Sequence, residues 1–218
     1  MQTWSLLVDC PEAQTDPNLP APSNYVPEEQ DVNTLFSQHI KSGINFDNYY
    51  EIPVHVTRQK GPTPASIDSF QELNLPGPLM DNISRMEYIR PTPIQKAAAP
   101  AGIAGMDIMA CAQTGSGKTC AFLLPILSHI LKTKYRDSIA KKPTAIIISP
   151  TRELTDQICK EARKFACGTA INAVAVYGRV ATHHIMSNLR RGMDIIVATV
   201  GRLKDLMNKG IVSCWLFY

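Results

Sequence analysis

No apolar run in the sequence approaches the ~20 residues that a bilayer-spanning helix needs, so nothing in it reads as a membrane anchor. The opening Met1–Cys10 carries neither a basic stretch nor a sustained apolar core, and it does not read as a secretory signal. CxxC pairs are absent too. Cys10, Cys111, Cys120, Cys159, Cys167 and Cys214 are scattered, which argues against a zinc site or a disulfide framework and for buried thiols in a reducing compartment. There are no internal repeats. These absences leave an intracellular globular chain as the expectation.

What is present suits one domain with a leader. The 218 residues are 44% hydrophobic and 19% charged, ordinary values for a folded protein. The net charge of +3 is unevenly spread. Residues 1–66 hold three Lys/Arg against eight Asp/Glu, a net of −5, and residues 67–218 hold nineteen against eleven, a net of +8. A basic domain behind an acidic leader fits a polyanionic ligand, although a basic solvated surface would look the same. The leader contains Pro11, Pro17, Pro20, Pro22, Pro27, Pro53, Pro62 and Pro64, a density that blocks helices and central strands and predicts an extended or disordered segment. An apolar cluster at Ile44, Phe46, Tyr49, Tyr50 and Ile52 interrupts it and is expected to dock on a neighbouring surface.

From Ile67 onward helical and strand patterns alternate. Leu79–Met86 and Pro93–Ala101 read as short helices, the second with Thr92 as N-cap and Pro93 at its first position. Asp107–Cys111 reads as a strand running into a glycine-rich turn, and a helix is expected from Lys118 to about Lys132. Then follow strand Ala145–Ser149, helix Arg152–Ala166, strand Ala173–Tyr177, helix Thr182–Arg190, strand Asp194–Ala198 and a helix from Gly201. The strands are short, β-branched and uniformly apolar, as parallel strands covered on both faces are. Repeated β-α units predict an α/β fold with a doubly wound parallel sheet.

The strongest local signal is Ala112-Gln113-Thr114-Gly115-Ser116-Gly117-Lys118-Thr119, a Walker A loop with alanine at the usual first glycine. Its glycines let successive N–H groups point at phosphate oxygens, and the positive end of the following helix adds to that field. Lys118 would reach the β- and γ-phosphates, and the Thr119 hydroxyl would ligate Mg²⁺. The alternative is a glycine-rich turn without a ligand, which the lysine, the threonine and the strand–helix context disfavour.

Upstream lie Arg90-Pro91-Thr92-Pro93-Ile94-Gln95 and an isolated Phe70. A glutamine amide matches the N6/N7 edge of adenine and mismatches guanine, and a phenylalanine can stack on a purine. Placed before a Walker A loop, this pair resembles the Q motif of the DEAD-box RNA helicases. The resemblance implies that the motif selects ATP, with Phe70, Gln95 and Arg90 at the adenine. Three more segments resemble that family in order. Pro150-Thr151-Arg152-Glu153-Leu154 matches motif Ia, Thr199-Val200-Gly201-Arg202 resembles motif Ib with valine for the usual proline, and Tyr177-Gly178-Arg179 falls at the Gly-Gly element with arginine for the second glycine. They imply RNA-backbone contacts at Pro150, Thr151, Arg152, Glu153, Gly178, Thr199, Gly201 and Arg202. If the Arg179 position needs a positive φ, arginine strains it. Met109–Leu127, Glu161–Thr169 and Ser42–Asp47 look like the Vasa branch, and the sister branch acting in translation initiation shares much of them.

The resemblance therefore implies a partial RecA-like P-loop domain at residues 97–210, preceded by a Q-motif region at 67–96 and the extended leader at 1–66, with an atypical apolar tail at 211–218. It implies ATP and Mg²⁺ as cofactors, RNA gripped by its backbone without sequence preference as partner, no membrane, and a cytoplasmic location, in perinuclear granules if Vasa-like. The Asp-Glu-Ala-Asp segment and a second RecA-like domain do not occur in the sequence, so the chain is expected to be the front part of a helicase, inactive alone. The tail reads either as a substitute strand patching the open sheet or as an early frame end. The alternative function is a catalytically dead module that binds RNA or partner proteins. Another P-loop ATPase, such as a small kinase, is disfavoured by the Q motif followed by PTREL.

Overall fold

The computed structural model of the protein describes Tyr25, Phe36 and residues 53–57, 61–134 and 143–212. Its centre is a parallel sheet of three strands, β1 (Ala145–Ser149), β2 (Ala173–Val176) and β3 (Ile195–Thr199), in the spatial order β1-β3-β2. The register pairs Ala145 and Ala173 with Ile195, and Ser149 with Thr199. All three strands therefore end at the same rim, and the loops that follow them lie side by side. Ile195, Ile196, Val197 and Ala198 of the central strand are fully buried, so helices cover both of its faces. That is the α/β architecture expected of a partial RecA-like domain.

Helices α1 (Gly77–Arg85), α2 (Pro93–Ile103), α3 (Lys118–Lys134), α4 (Arg152–Phe165), α5 (Thr182–Arg191) and α6 (Val200–Asn208) surround the sheet, with a 3-10 turn at Phe70–Leu73 ahead of them. The helix α1 owes its seat to Leu79 and Ile83, four residues apart, with Met86 one turn on; all three are buried. Each is worth about 1.5–3 kcal/mol by removal from water. Asn82 on the same side donates from Nδ2 to the Phe165 and Cys167 carbonyls at 2.8 and 2.7 Å, satisfying the C-terminal end of α4. The face of α4 formed by Ile158, Cys159, Ala162 and Phe165 is buried, and Asp156 and Lys160 pair along its outer side at 2.9 Å.

Asp107–Cys111 departs from its expected strand. It is extended but pairs with no strand among the described residues, and Ile108 and Met109 are exposed, the latter 95%. Its composition suits a strand, but a strand needs a ladder partner, and β1, β2 and β3 pair only with one another. On the other side of the same gap β1 is an open edge, with Ile148 59% exposed. The remaining elements fall within about two residues of expectation, the usual scatter at element ends. In the leader, 53–57 is extended and exposed, Tyr25 forms a parallel bridge with Val180, and Phe36 packs against the core. The 44–52 apolar cluster and the tail beyond Val212 lie outside the described residues. No helix among the described residues is long and apolar enough to cross a membrane.

Candidate nucleotide site and nucleic-acid rim

The glycine-rich loop Ala112–Gly117 lies between the unpaired segment and α3, so Lys118 and Thr119 open the helix, as the motif requires. Gly115 and Gly117 have φ of +82° and +87°, conformations that only glycine adopts without strain. Ala112, Gln113 and Thr114 are exposed, and Lys118 and Thr119 half-buried. The Lys118 ammonium donates to the Ala112 carbonyl and to that of Gln113, the latter at 2.7 Å. The loop's own oxygens thus hold the charge that a phosphate would attract. Ser116 Oγ is buried without a hydrogen-bond partner.

Because the preceding segment belongs to no ladder, the loop is braced from α2. Thr92 Oγ1 donates to the Ser116 carbonyl at 2.8 Å, and Gln95 Nε2 to that of Gly117 at 3.2 Å. Gln95 Oε1 in turn accepts from the Thr92 N–H at 2.9 Å. Gln95 is fully buried, and a Cβ at Gly117 would sit 2.4 Å from its Nε2. The Q segment and the phosphate loop are therefore one hydrogen-bonded unit.

The adenine end differs from expectation at Phe70. Its ring is only 2% exposed and lies in the core, where it meets Tyr88 edge-on at a centroid distance of 6.2 Å. Burial removes the free face that stacking on a base needs. Tyr88, half-buried beside the exposed Arg90, is the aromatic nearest the Q segment in sequence, and its ring also tilts against Phe165 at 5.9 Å. Burial pushes the Tyr88 hydroxyl far above its usual value, with Cys120 and Glu161 adding to the shift, so it remains a neutral phenol. Sequence reading passed over Tyr88 because an aromatic ahead of a helix looks like an ordinary anchor, and took Thr92 only as a cap.

At the strand-end rim the structure brings the three expected segments together. Thr151 caps α4, its Oγ1 accepting from the Leu154 N–H at 3.2 Å, and Arg152 and Glu153 are exposed in the first turn. The Arg152 guanidinium lies over Gly178, where an added Cβ would be 2.9 Å from it. Arg202, on α6, is more committed. It donates to the Val180 carbonyl at 3.0 Å and Thr182 Oγ1 at 2.9 Å, and pairs with Asp205 at 2.6 Å, while its Nε is buried without a partner. Hydrogen bonding from Lys209, with help from Arg202, holds the Asp205 carboxyl below the usual carboxylate range. Pro150, Thr199, Gly178 and Gly201 complete the rim, and Arg179 has a φ of +74°, the strained conformation expected if this position demands a positive φ.

A helix opening onto a glycine-rich loop, beside a rim of three strand ends, defines the class of P-loop nucleotide-binding α/β domains. The chain belongs to the DEAD/DEAH box helicase family, which residues 92–215 match. It is 45% identical over 190 residues to the ATP-dependent RNA helicase DDX4 of Mus musculus, covering 85% of this chain and 27% of that protein. It is 45% identical over 186 residues to the DDX4 proteins of Rattus norvegicus and Homo sapiens, covering 84% of this chain and 26% and 25% of theirs. These are Vasa-type helicases, the branch its sequence resembles. The chain spans about a quarter of the length of the curated relatives it matches.

Proposed function

We propose that the loop Ala112–Thr119 binds the phosphates of ATP and that the rim at Pro150–Glu153, Gly178 and Thr199–Arg202 holds an RNA backbone, as the front part of an ATP-dependent RNA helicase. The observation that carries this reading is the buried brace from Thr92 and Gln95 to the Ser116 and Gly117 carbonyls, which ties a base-reading segment to a phosphate loop. The residues fit the cofactor. Two positive-φ glycines shape the loop, Lys118 points its ammonium at the loop's oxygens, and Thr119 opens α3 with a hydroxyl. No cluster of metal-ligating side chains exists among the described residues, so Mg²⁺ would sit between Thr119 and the nucleotide's own phosphates. Mg²⁺ supplies charge neutralisation on the phosphate oxygens when bound. At the base end Gln95 and Arg90 mark the adenine, and the buried Phe70 contributes by backing Tyr88.

On the rim, helix starts and arginines favour phosphate over base contacts, so binding is sequence-independent. A polypeptide of residues 1–218 holds no Asp-Glu-Ala-Asp segment to place Mg²⁺ and the attacking water, and it binds nucleotide without RNA-stimulated turnover. Its place is the cytoplasm, where scattered reduced cysteines are ordinary. The test is titration of purified chain with a fluorescent ADP beside a Lys118→Ala control. Saturable binding lost in the control supports the phosphate loop; binding that survives Lys118→Ala refutes it. Robust RNA-stimulated ATP turnover by the same protein would overturn the inactivity.

A further inference from the structure

The loop Tyr177–Ala181, which leaves β2 and carries Gly178 of the rim, is held from three sides. Arg152 lies over Gly178 and Arg202 donates to the Val180 carbonyl. The third support comes from the acidic leader. Tyr25 forms a parallel bridge with Val180, and the Ala181 N–H donates to the Tyr25 carbonyl at 2.9 Å. Val180 and Ala181 are each only 2% exposed. The side chains meet as well: the Tyr177 hydroxyl is pushed up to about 12, first by burial, with a hydrogen bond to Tyr25 contributing. Eleven residues on, Phe36 packs against the core with the Arg85 guanidinium 4.3 Å from its ring centre. The span 26–35 between these two anchors contains Glu28, Glu29 and Asp31 and no basic residue. A tethered polyanion is thus attached to the very loop that joins the arginines of the rim.

We propose that the Tyr177–Ala181 loop is a docking site for the chain's own leader, and that Tyr25 with the acids behind it competes with an RNA backbone for the rim. This rests on the RNA-backbone reading of the rim given above. The physical basis is twofold. The Tyr25 main chain occupies the outer side of the loop, and three carboxylates within six residues of it repel the phosphates that Arg152 and Arg202 would attract. A docked leader lowers apparent RNA affinity by the fraction of molecules in which it is released, so a leader docked in about nine-tenths of molecules weakens binding about tenfold.

The test keeps residues 1–218 intact and measures anisotropy of a short fluorescein-labelled oligouridine at low salt. Glu28→Gln/Glu29→Gln/Asp31→Asn and, separately, Tyr25→Ala are compared with the unchanged chain. Asp9→Asn/Glu12→Gln/Asp16→Asn serves as a control with the same charge change away from the anchors. The proposal expects about three- to tenfold tighter binding in the first two and less gain in the control. Hydrogen exchange then reads the leader directly, and the peptide containing Tyr25 should exchange faster when RNA is added. Equal affinities in all variants, an equal gain in the control, or RNA binding that leaves the Tyr25 peptide unchanged would each overturn the competition while leaving the RNA reading intact. No RNA binding by any variant, including the released ones, would instead refute the rim reading, and the competition with it.

Discussion

Replacing Gln95 by glutamate changes one functional group and isolates the work of a buried amide. Gln95 Oε1 accepts from the Thr92 N–H and Nε2 donates to the Gly117 carbonyl, and the residue has no exposure to water. Glutamate keeps the first bond and sets an oxygen against the Gly117 carbonyl oxygen. Ionised, it would place a charge beside a carbonyl lone pair with no water to help, so the folded protein holds it as the neutral acid, whose O–H restores the donor. Holding an acid of ordinary pKa about 4.3 protonated at pH 7 costs about 3.7 kcal/mol, and this bound shrinks by about 1.4 kcal/mol for each unit the pH falls. The sign follows from linkage. The folded pKa is raised above the unfolded one, so stability is near that of the parent below about pH 4.3 and is lost as the pH rises toward the folded value. The assay is urea unfolding of the parent, Gln95→Glu and Gln95→Ala at pH 5, 6 and 7. The Gln95→Glu deficit should grow by about 2–3 kcal/mol across this range, while Gln95→Ala stays about 1–3 kcal/mol below the parent at each pH. A Gln95→Glu deficit that does not change with pH, or one below about 0.5 kcal/mol at pH 7, would refute the buried brace.

Asn82→Ala removes two bonds to the Phe165 and Cys167 carbonyls and leaves the end of α4 unsatisfied, for a loss of about 2–4 kcal/mol in urea unfolding. A change under about 0.5 kcal/mol would show that water replaces the amide there. Arg179→Gly should raise stability by about 1 kcal/mol, because φ is +74° and glycine bears no steric penalty there; an unchanged or lower melting temperature counts against the strain. Burial pushes the Cys159 thiol up to about 11 from an ordinary 9.0, so its contribution is complete below pH 9 and is lost as the pH rises toward the folded value. That loss reaches about 2.7 kcal/mol, and Cys159→Ala should flatten the fall in stability between pH 9 and 11 by a similar amount in denaturant melts.

The three strands were legible because each is a short apolar β-branched run, and burial of such a run on both faces is a local property of its composition. Asp107–Cys111 has the same composition and failed as a strand, since a strand exists only through its neighbour and the neighbour is not encoded in those five residues. The brace shows the same division. Thr92 and Gln95 were legible as a cap and a base-reading amide, but their partners Ser116 and Gly117 lie 24 and 22 residues away, at a distance that only packing of α2 on α3 closes. Phe70 and Tyr88 exchanged their expected standing for a related reason. Either aromatic could line a base pocket, and burial alone decides which ring keeps an accessible edge.

The arginines of the rim carry this reasoning one step further. Arg152, Arg179 and Arg202 look equivalent in sequence, each following a strand end. Arg202 spends its guanidinium on the Val180 carbonyl, Thr182 and Asp205, so truncating it would loosen the loop before it cost any phosphate contact. Arg152 is exposed while it lies over Gly178, and its charge faces outward. Loss of RNA affinity in Arg202→Ala would therefore mix folding with binding, whereas Arg152→Ala reads the phosphate contact more directly. Salt dependence separates the two cases. Removal of a phosphate contact lowers the slope of log affinity against log salt by about one, and a loosened loop lowers affinity while leaving that slope closer to its original value.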